Sequence, residues 1–105
     1  MISDKHYSDS QSKNYLRRGY SINKIRYTLI KKGINNNYIE QSISKIKEKN
    51  FNPDFFSALK LCKKRKIGPN REEGNRKLFY KKDMGILARS GFSFEISKSV
   101  LNLSK

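Results

Sequence analysis

Two stretches of this chain are written to one pattern, and that pattern constrains the fold more than any other feature. LRRGYSINKIRYTL, residues 16–29, and LARSGFSFEISKSVL, residues 87–101, each carry Leu and Arg, then Gly, an aromatic residue, Ser and an amphipathic run, with the glycines 72 positions apart. Gly19 and Gly91 stand where a helix end needs a residue in the left-handed region. Ser21 and Ser93 follow as N-caps of a second helix. Tyr20 or Phe92, just before the cap, is set to pack on the new helix's first turn and fix its direction. Each stretch therefore predicts a helix corner. A corner cannot bury its apolar face alone, so two copies predict repeats stacked into an elongated array.

The remaining punctuation is also helical. A weakly apolar helix over 4–18, anchored by Tyr7, Tyr15 and Leu16, runs into Gly19, and a helix over 22–32 with Ile22, Ile25 and Leu29 on one face ends at Gly33. Asn36 is the candidate cap for a helix in which Ile39, Ile43 and Ile46 share a face. Asn52 as cap and Pro53 at the first helical position open a helix to about Lys66, ended by Gly68 and Pro69. GPNREEGN, residues 68–75, reads as a polar break and the best candidate for a mobile loop. A helix over 76–89 follows, in which Gly85 should cost about 1 kcal/mol relative to Ala, and Ile96, Val100 and Leu103 line the last. No strand-like alternation extends beyond four or five residues. The expectation is all-α: about six short helices as tandem three-helix repeats, 1–50 and 51–105, in one continuous, elongated, right-angled stack.

A chain of 105 residues with 35% hydrophobic content has a small core, yet Ile, Leu, Phe and Tyr are too frequent for disorder. Its 24 Lys and Arg against 9 Asp and Glu give a net charge of +15, which points to a polyanionic partner. A competing source is the residue bias of an AT-rich coding sequence, since Lys, Ile and Asn number 17, 11 and 10.

Chemistry finds little purchase. Cys62 and His6 are single residues of their types, so neither a disulfide framework nor a Cys/His metal cluster is available. A Cys62–His6 nucleophile pair would still need a third orienting group. Cys62 falls at helical spacing with Phe55, Ala58 and Leu59, as a buried, inert thiol would. The one acidic pair, Glu72 and Glu73, lies in the polar break. The expectation is no enzyme, no cofactor and no metal. No apolar run is long enough to span a bilayer, and MISDKHYSDS does not open like a signal peptide, so a cytoplasmic chain without a membrane partner is expected.

Partner contacts should come from the cations: Arg17 and Arg18 at a helix end, Lys24 and Arg26 on the next helix, Lys31 and Lys32 at its end. A second cluster comprises Lys60, Lys63, Lys64, Arg65 and Lys66 in KLCKKRK, then Arg71, Arg76, Lys77, Lys81 and Lys82. Arginine is the better residue for bidentate carboxylate or phosphate contacts. Cations at helix ends also interact with the helix dipole, at about 0.3–1 kcal/mol each, so a structural account stands beside the functional one. Tyr7, Tyr15, Tyr20, Tyr27, Phe51 and Tyr80 could stack on bases if exposed, but a core this small should bury most of them.

The segment YLRRGYSINKIRYTLIKKGINNNYIEQSI resembles the middle of the RecX family of bacterial recombination regulators. The family's pattern of Arg-Gly-x-Ser, an Ile-x-x-x-Leu helix, Lys-Gly-Ile and an Ile-rich helix falls on Arg18, Gly19, Ser21, Ile25, Leu29, Lys32, Gly33, Ile34, Ile39 and Ile43. Upstream, Asp4, His6, Tyr7 and Ser8 are similar to its Asp-x-Arg-Phe-Ala stretch. Downstream, RKIGPNR and LARSGFS resemble the Arg-x-x-Gly-Pro loop and Leu-Ala-Arg-x-Gly-Phe-Ser corner of the alphaproteobacterial branch. The resemblance implies a non-enzymatic modulator, an elongated stack of three-helix repeats that lodges in the groove of the RecA filament on single-stranded DNA and blocks strand exchange. The chain itself is expected to be a monomer, with nucleic acid, contacted directly, as a second partner. Members usually carry a further three-helix unit ahead of the Asp-x-Arg-Phe-Ala stretch, whereas this chain starts at Met1 directly before it. A lost repeat, a fragment and a misassigned start are the readings of that departure. The rival is a basic helical module acting directly on DNA; the Gly19 corner is punctuated like a helix-turn-helix but lacks a persuasive recognition helix.

Overall fold

The computed structural model describes residues 4–103, so the Met1 start lies outside it. Among the described residues the fold is all-α, with seven α-helices and no strand. They are α1 (Asp4–Arg17), α2 (Ile22–Lys31), α3 (Asn36–Lys49), α4 (Pro53–Arg65), α5 (Glu73–Leu78), α6 (Tyr80–Arg89) and α7 (Phe94–Leu101), with a 3-10 turn at Gly68–Asn70 after α4. The radius of gyration, 15.0 Å, exceeds the roughly 13 Å of a compact chain this long. The body is elongated.

Two apolar clusters account for the length. Tyr15, Ile22, Ile25, Leu29, Ile39, Ile43 and Ile46 close one between α1, α2 and α3. Ala58, Cys62, Ile67, Leu87, Phe92, Val100 and Leu101 close the other across α4, α6 and α7.

The paired corners have almost the same geometry. Gly19 and Gly91 sit at φ +89° and +92°, and Ser21 and Ser93 at φ −69° with ψ 160° and 162°. Tyr20 donates its backbone N–H to Tyr15 O at 3.0 Å, and Phe92 to Leu87 O at 3.1 Å, the six-to-one bond that closes a glycine-terminated helix. The Ser21 hydroxyl accepts from Lys24 N at 3.0 Å, and the Ser93 hydroxyl from Ile96 N at 3.2 Å. Gly33 makes a third such corner, with Ile34 N donating to Leu29 O at 3.2 Å. Tyr20 does more than face the helix ahead: its ring stacks back on Tyr15 of α1, centroids 4.9 Å apart, while Lys24 of α2 covers it at 4.2 Å.

These corners dock on each other. Ser21 Oγ donates to Ser90 O at 2.7 Å, and Asn23 donates its side-chain amide to Gly91 O at 3.3 Å. A methyl group on Gly91 would collide with Ser21 Oγ. On the other side, Asp54 of α4 accepts from Ile22 N at 2.9 Å, and a methyl on Gly19 would lie 3.2 Å from Ser57 O. The first turn of α2 is thus the joint between the two clusters.

Several sequence expectations change. The helix expected over 76–89 begins earlier, at Glu73, and breaks at Phe79 (φ −101°, ψ 13°), so the second half holds four α-helices rather than three. Gly68–Asn75 is not a free loop: buried Asp83 accepts from Gly68 N at 3.1 Å and grips the Arg71 guanidinium through two 2.9 Å bonds. Helix α4 ends at Arg65 and is closed by Lys66, itself left-handed (φ 57°, ψ 46°), rather than by Gly68. The cap of α3 is Asn35, one residue before the expected Asn36, accepting from Asn37 N at 2.8 Å. Asn52 makes no side-chain cap bond because it occupies the left-handed region (φ 46°), which turns its side chain away from the role. Helix α1 stops at Arg17, and α7 at Leu101, which replaces Leu103 in the core. Finally, α1 presents buried serines, Ser8 and Ser12, beside Tyr15; Ser8 Oγ lies 2.8 Å from Ser42 Oγ, which lets α1 and α3 approach closely.

Candidate polyanion-binding surface

The cations divide by what already holds them. Three ion pairs join described residues: Arg26 with Glu40 (2.8 Å), Lys45 with Asp9 (2.8 Å) and Arg71 with Asp83 (2.9 Å). Arg26 is bidentate on Glu40, its second nitrogen donating at 3.2 Å, and that bond holds the Glu40 carboxyl below its ordinary range. Arg76 donates to the carbonyls of Leu101 (3.2 Å) and Leu103, closing the end of α7. The arginines proposed for partner contact therefore separate: Arg26, Arg71 and Arg76 have internal work, and for Arg71 and Arg76 that work is structural. Sequence alone cannot distinguish them, because their acceptors lie 12 to 27 positions away.

Lysines near aromatic rings form a second class. Lys24 covers Tyr20, Lys31 lies 5.4 Å from Tyr27, Lys32 lies 5.6 Å from Tyr15 and 5.8 Å from Tyr7, and Lys82 lies 5.9 Å from Phe79. All four are exposed, so the ring orients the ammonium without removing it from solvent. Arg17, Arg18, Lys63, Lys64, Arg65 and Lys81 are exposed, and their side chains make no hydrogen bond or ion pair with another described residue. Of the turn residues, Gly19, Ser21, Gly33, Gly91 and Ser93 all build corners.

Tertiary packing assembles a basic feature that no single segment announced. A groove of about 570 Å³ runs between α1, α3 and α4, with Lys13, Arg17, Lys45, Lys49 and Lys60 along it. It continues past Lys49 and Lys60 to Phe51, Pro53 and Phe56. Phe51 is 88% exposed and Phe56 51% exposed, large apolar areas for a core-poor chain. Burial alone would raise the Asp9 carboxyl in the groove wall, but hydrogen bonds from Lys45 and Ser42 outweigh it and hold Asp9 below its ordinary value. Of these groove cations only Arg17 and Lys60 stood among the sequence candidates. The missed signal was periodicity: Lys13 and Arg17, and Lys45 and Lys49, are each one helical turn apart.

No group of three or more His, Cys, Asp or Glu among the described residues could hold a metal ion. Cys62 is fully buried; burial, with the Asp83 charge, pushes its thiol up to about 11, which keeps it protonated. None of the described helices is long and apolar enough to cross a membrane. Comparison with known protein families, curated proteins and solved structures finds no match.

Proposed function

We propose that this chain is a regulatory protein of the RecX kind, a non-enzymatic monomer that acts in the cytoplasm by binding the RecA filament on single-stranded DNA and restraining its recombination activity. The observation that carries the reading is an elongated helical body with 24 basic residues and only three ion pairs among those described. Such an excess of unneutralised charge attracts a polyanion, and a long shape suits an extended partner better than a small one. Further support comes from the twin corners at Gly19 and Gly91, which we read as equivalent positions of tandem repeats in one right-angled stack. Within this reading Arg17, Arg18, Lys63, Lys64, Arg65 and Lys81 meet the filament, with Lys24, Lys31, Lys32 and Lys82 as oriented neighbours.

The test is RecA's own activity. Added at stoichiometric levels to RecA on single-stranded DNA, the purified chain should slow both ATP hydrolysis and strand exchange. Unchanged rates of both would refute the proposal. A second reading, a module binding nucleic acid directly, is favoured by the continuous basic groove with its exposed phenylalanines. It requires binding to naked DNA at physiological salt with no RecA present.

A further inference from the structure

We infer that the groove between α1, α3 and α4 is a binding site for single-stranded nucleic acid, with Lys13, Arg17, Lys49 and Lys60 on its phosphates and Phe51 and Phe56 stacking on its bases. This deepens the direct-binding reading and needs nothing from RecA. The four cations come from three helices and are exposed, and their side chains have no hydrogen-bond or ion-pair partner among the described residues. The acids in the lining are Asp9, already paired with Lys45, and Glu48. The groove is therefore positive along its floor and ends in two aromatic faces.

That combination selects the occupant. A cationic track follows a phosphate backbone, and aromatic side chains accept any base because every base has a flat face. A duplex keeps its bases stacked inside and offers the phenylalanines nothing. An acidic peptide would satisfy the lysines without a run of flat groups. Phe56 is also held in place: Phe55 meets it edge-on, with ring centroids 5.6 Å apart. Phe51 sits between α3 and α4, where nothing in either core requires a phenylalanine.

Fluorescence anisotropy of a dye-labelled oligothymidylate of about 20 nucleotides, long enough to exceed one binding site, tests this with the full chain. Four phosphate contacts give a log–log salt slope of about −3, or roughly 50-fold weaker binding from 50 to 200 mM salt. Phe51→Ala with Phe56→Ala should weaken binding by about 30-fold or more at unchanged slope. Lys49→Gln with Lys60→Gln should reduce the slope by about 1.4. Circular dichroism checks that each variant retains its helices, and all four positions are exposed. Equal affinity for a duplex of the same length, or wild-type affinity in the phenylalanine variant, overturns the inference. Equal affinity for polyglutamate overturns it in favour of an acidic peptide. A chain that binds the oligonucleotide but leaves RecA untouched refutes only the RecA proposal, and the converse result refutes only this one.

Discussion

Replacing Gly91 by Ala probes the joint between the two clusters, and Gly33 supplies its internal control. Both glycines are left-handed, at φ +92° and +81°, so either alanine costs about 1–2 kcal/mol of backbone strain. A methyl at Gly33 meets nothing within 4 Å, whereas one at Gly91 runs into Ser21 Oγ. That hydroxyl caps α2 through Lys24 N and donates to Ser90 O. Displacing it forfeits an N-cap, about 1 kcal/mol, and up to about 1 kcal/mol for the second hydrogen bond. Gly91→Ala should therefore cost about 1–2 kcal/mol more than Gly33→Ala. At about 4–8 °C per kcal/mol for a domain of this size, it should melt at least about 4 °C lower by circular dichroism. A double-mutant cycle sharpens the result: Ser21→Ala should be clearly destabilising in the wild type and nearly neutral beside Gly91→Ala. Equal melting of the two glycine variants, or additive effects of Ser21→Ala and Gly91→Ala, would show that corner docking does not hold the halves together.

Three further predictions concern the second half. Arg71→Met leaves Asp83, whose side chain is 1% exposed, without its bidentate partner; urea unfolding should show a loss of about 3 kcal/mol, and a loss below 1 kcal/mol would contradict the anchoring of the 68–75 segment. Lys66→Gly relieves a left-handed lysine at the end of α4 and should stabilise by about 0.5–1 kcal/mol, seen as a higher melting temperature. The Cys62 thiol, raised from 9.0 to about 11, is protonated in the folded chain where the unfolded chain ionises, so its contribution to stability is complete below pH 9 and falls as pH rises toward 11. Iodoacetamide at pH 8 should accordingly label it only after denaturation; rapid labelling of the folded chain would place the thiol outside the core.

How much was legible varies with the range of the interaction. The corners at Gly19, Gly33 and Gly91 could be read because every bond that makes them spans five residues or fewer, as Tyr20 N to Tyr15 O does. The isoleucine faces of α2 and α3 were equally open to reading, since periodicity is local. At the 68–75 segment and at Ser8, composition misleads because the partner is distant. Asp83, 15 residues from Gly68 and 12 from Arg71, turns a segment of loop composition into an anchored strap. Ser42, 34 residues from Ser8, turns a polar position of α1 into part of the interior.

The sequence by itself determined that this chain is helical, where most helices start and stop, and that it carries +15 of charge. Caps, left-handed glycines and apolar spacing act within one or two turns, so their outcome does not await the rest of the fold. Only the tertiary structure decided that the twin corners touch, which arginines are already engaged, and that Lys13, Arg17, Lys49 and Lys60 line one groove with Phe51 and Phe56. Those facts depend on which helix faces meet, and that is set by burying the small isoleucine- and leucine-rich cores, a collective property that no local segment encodes.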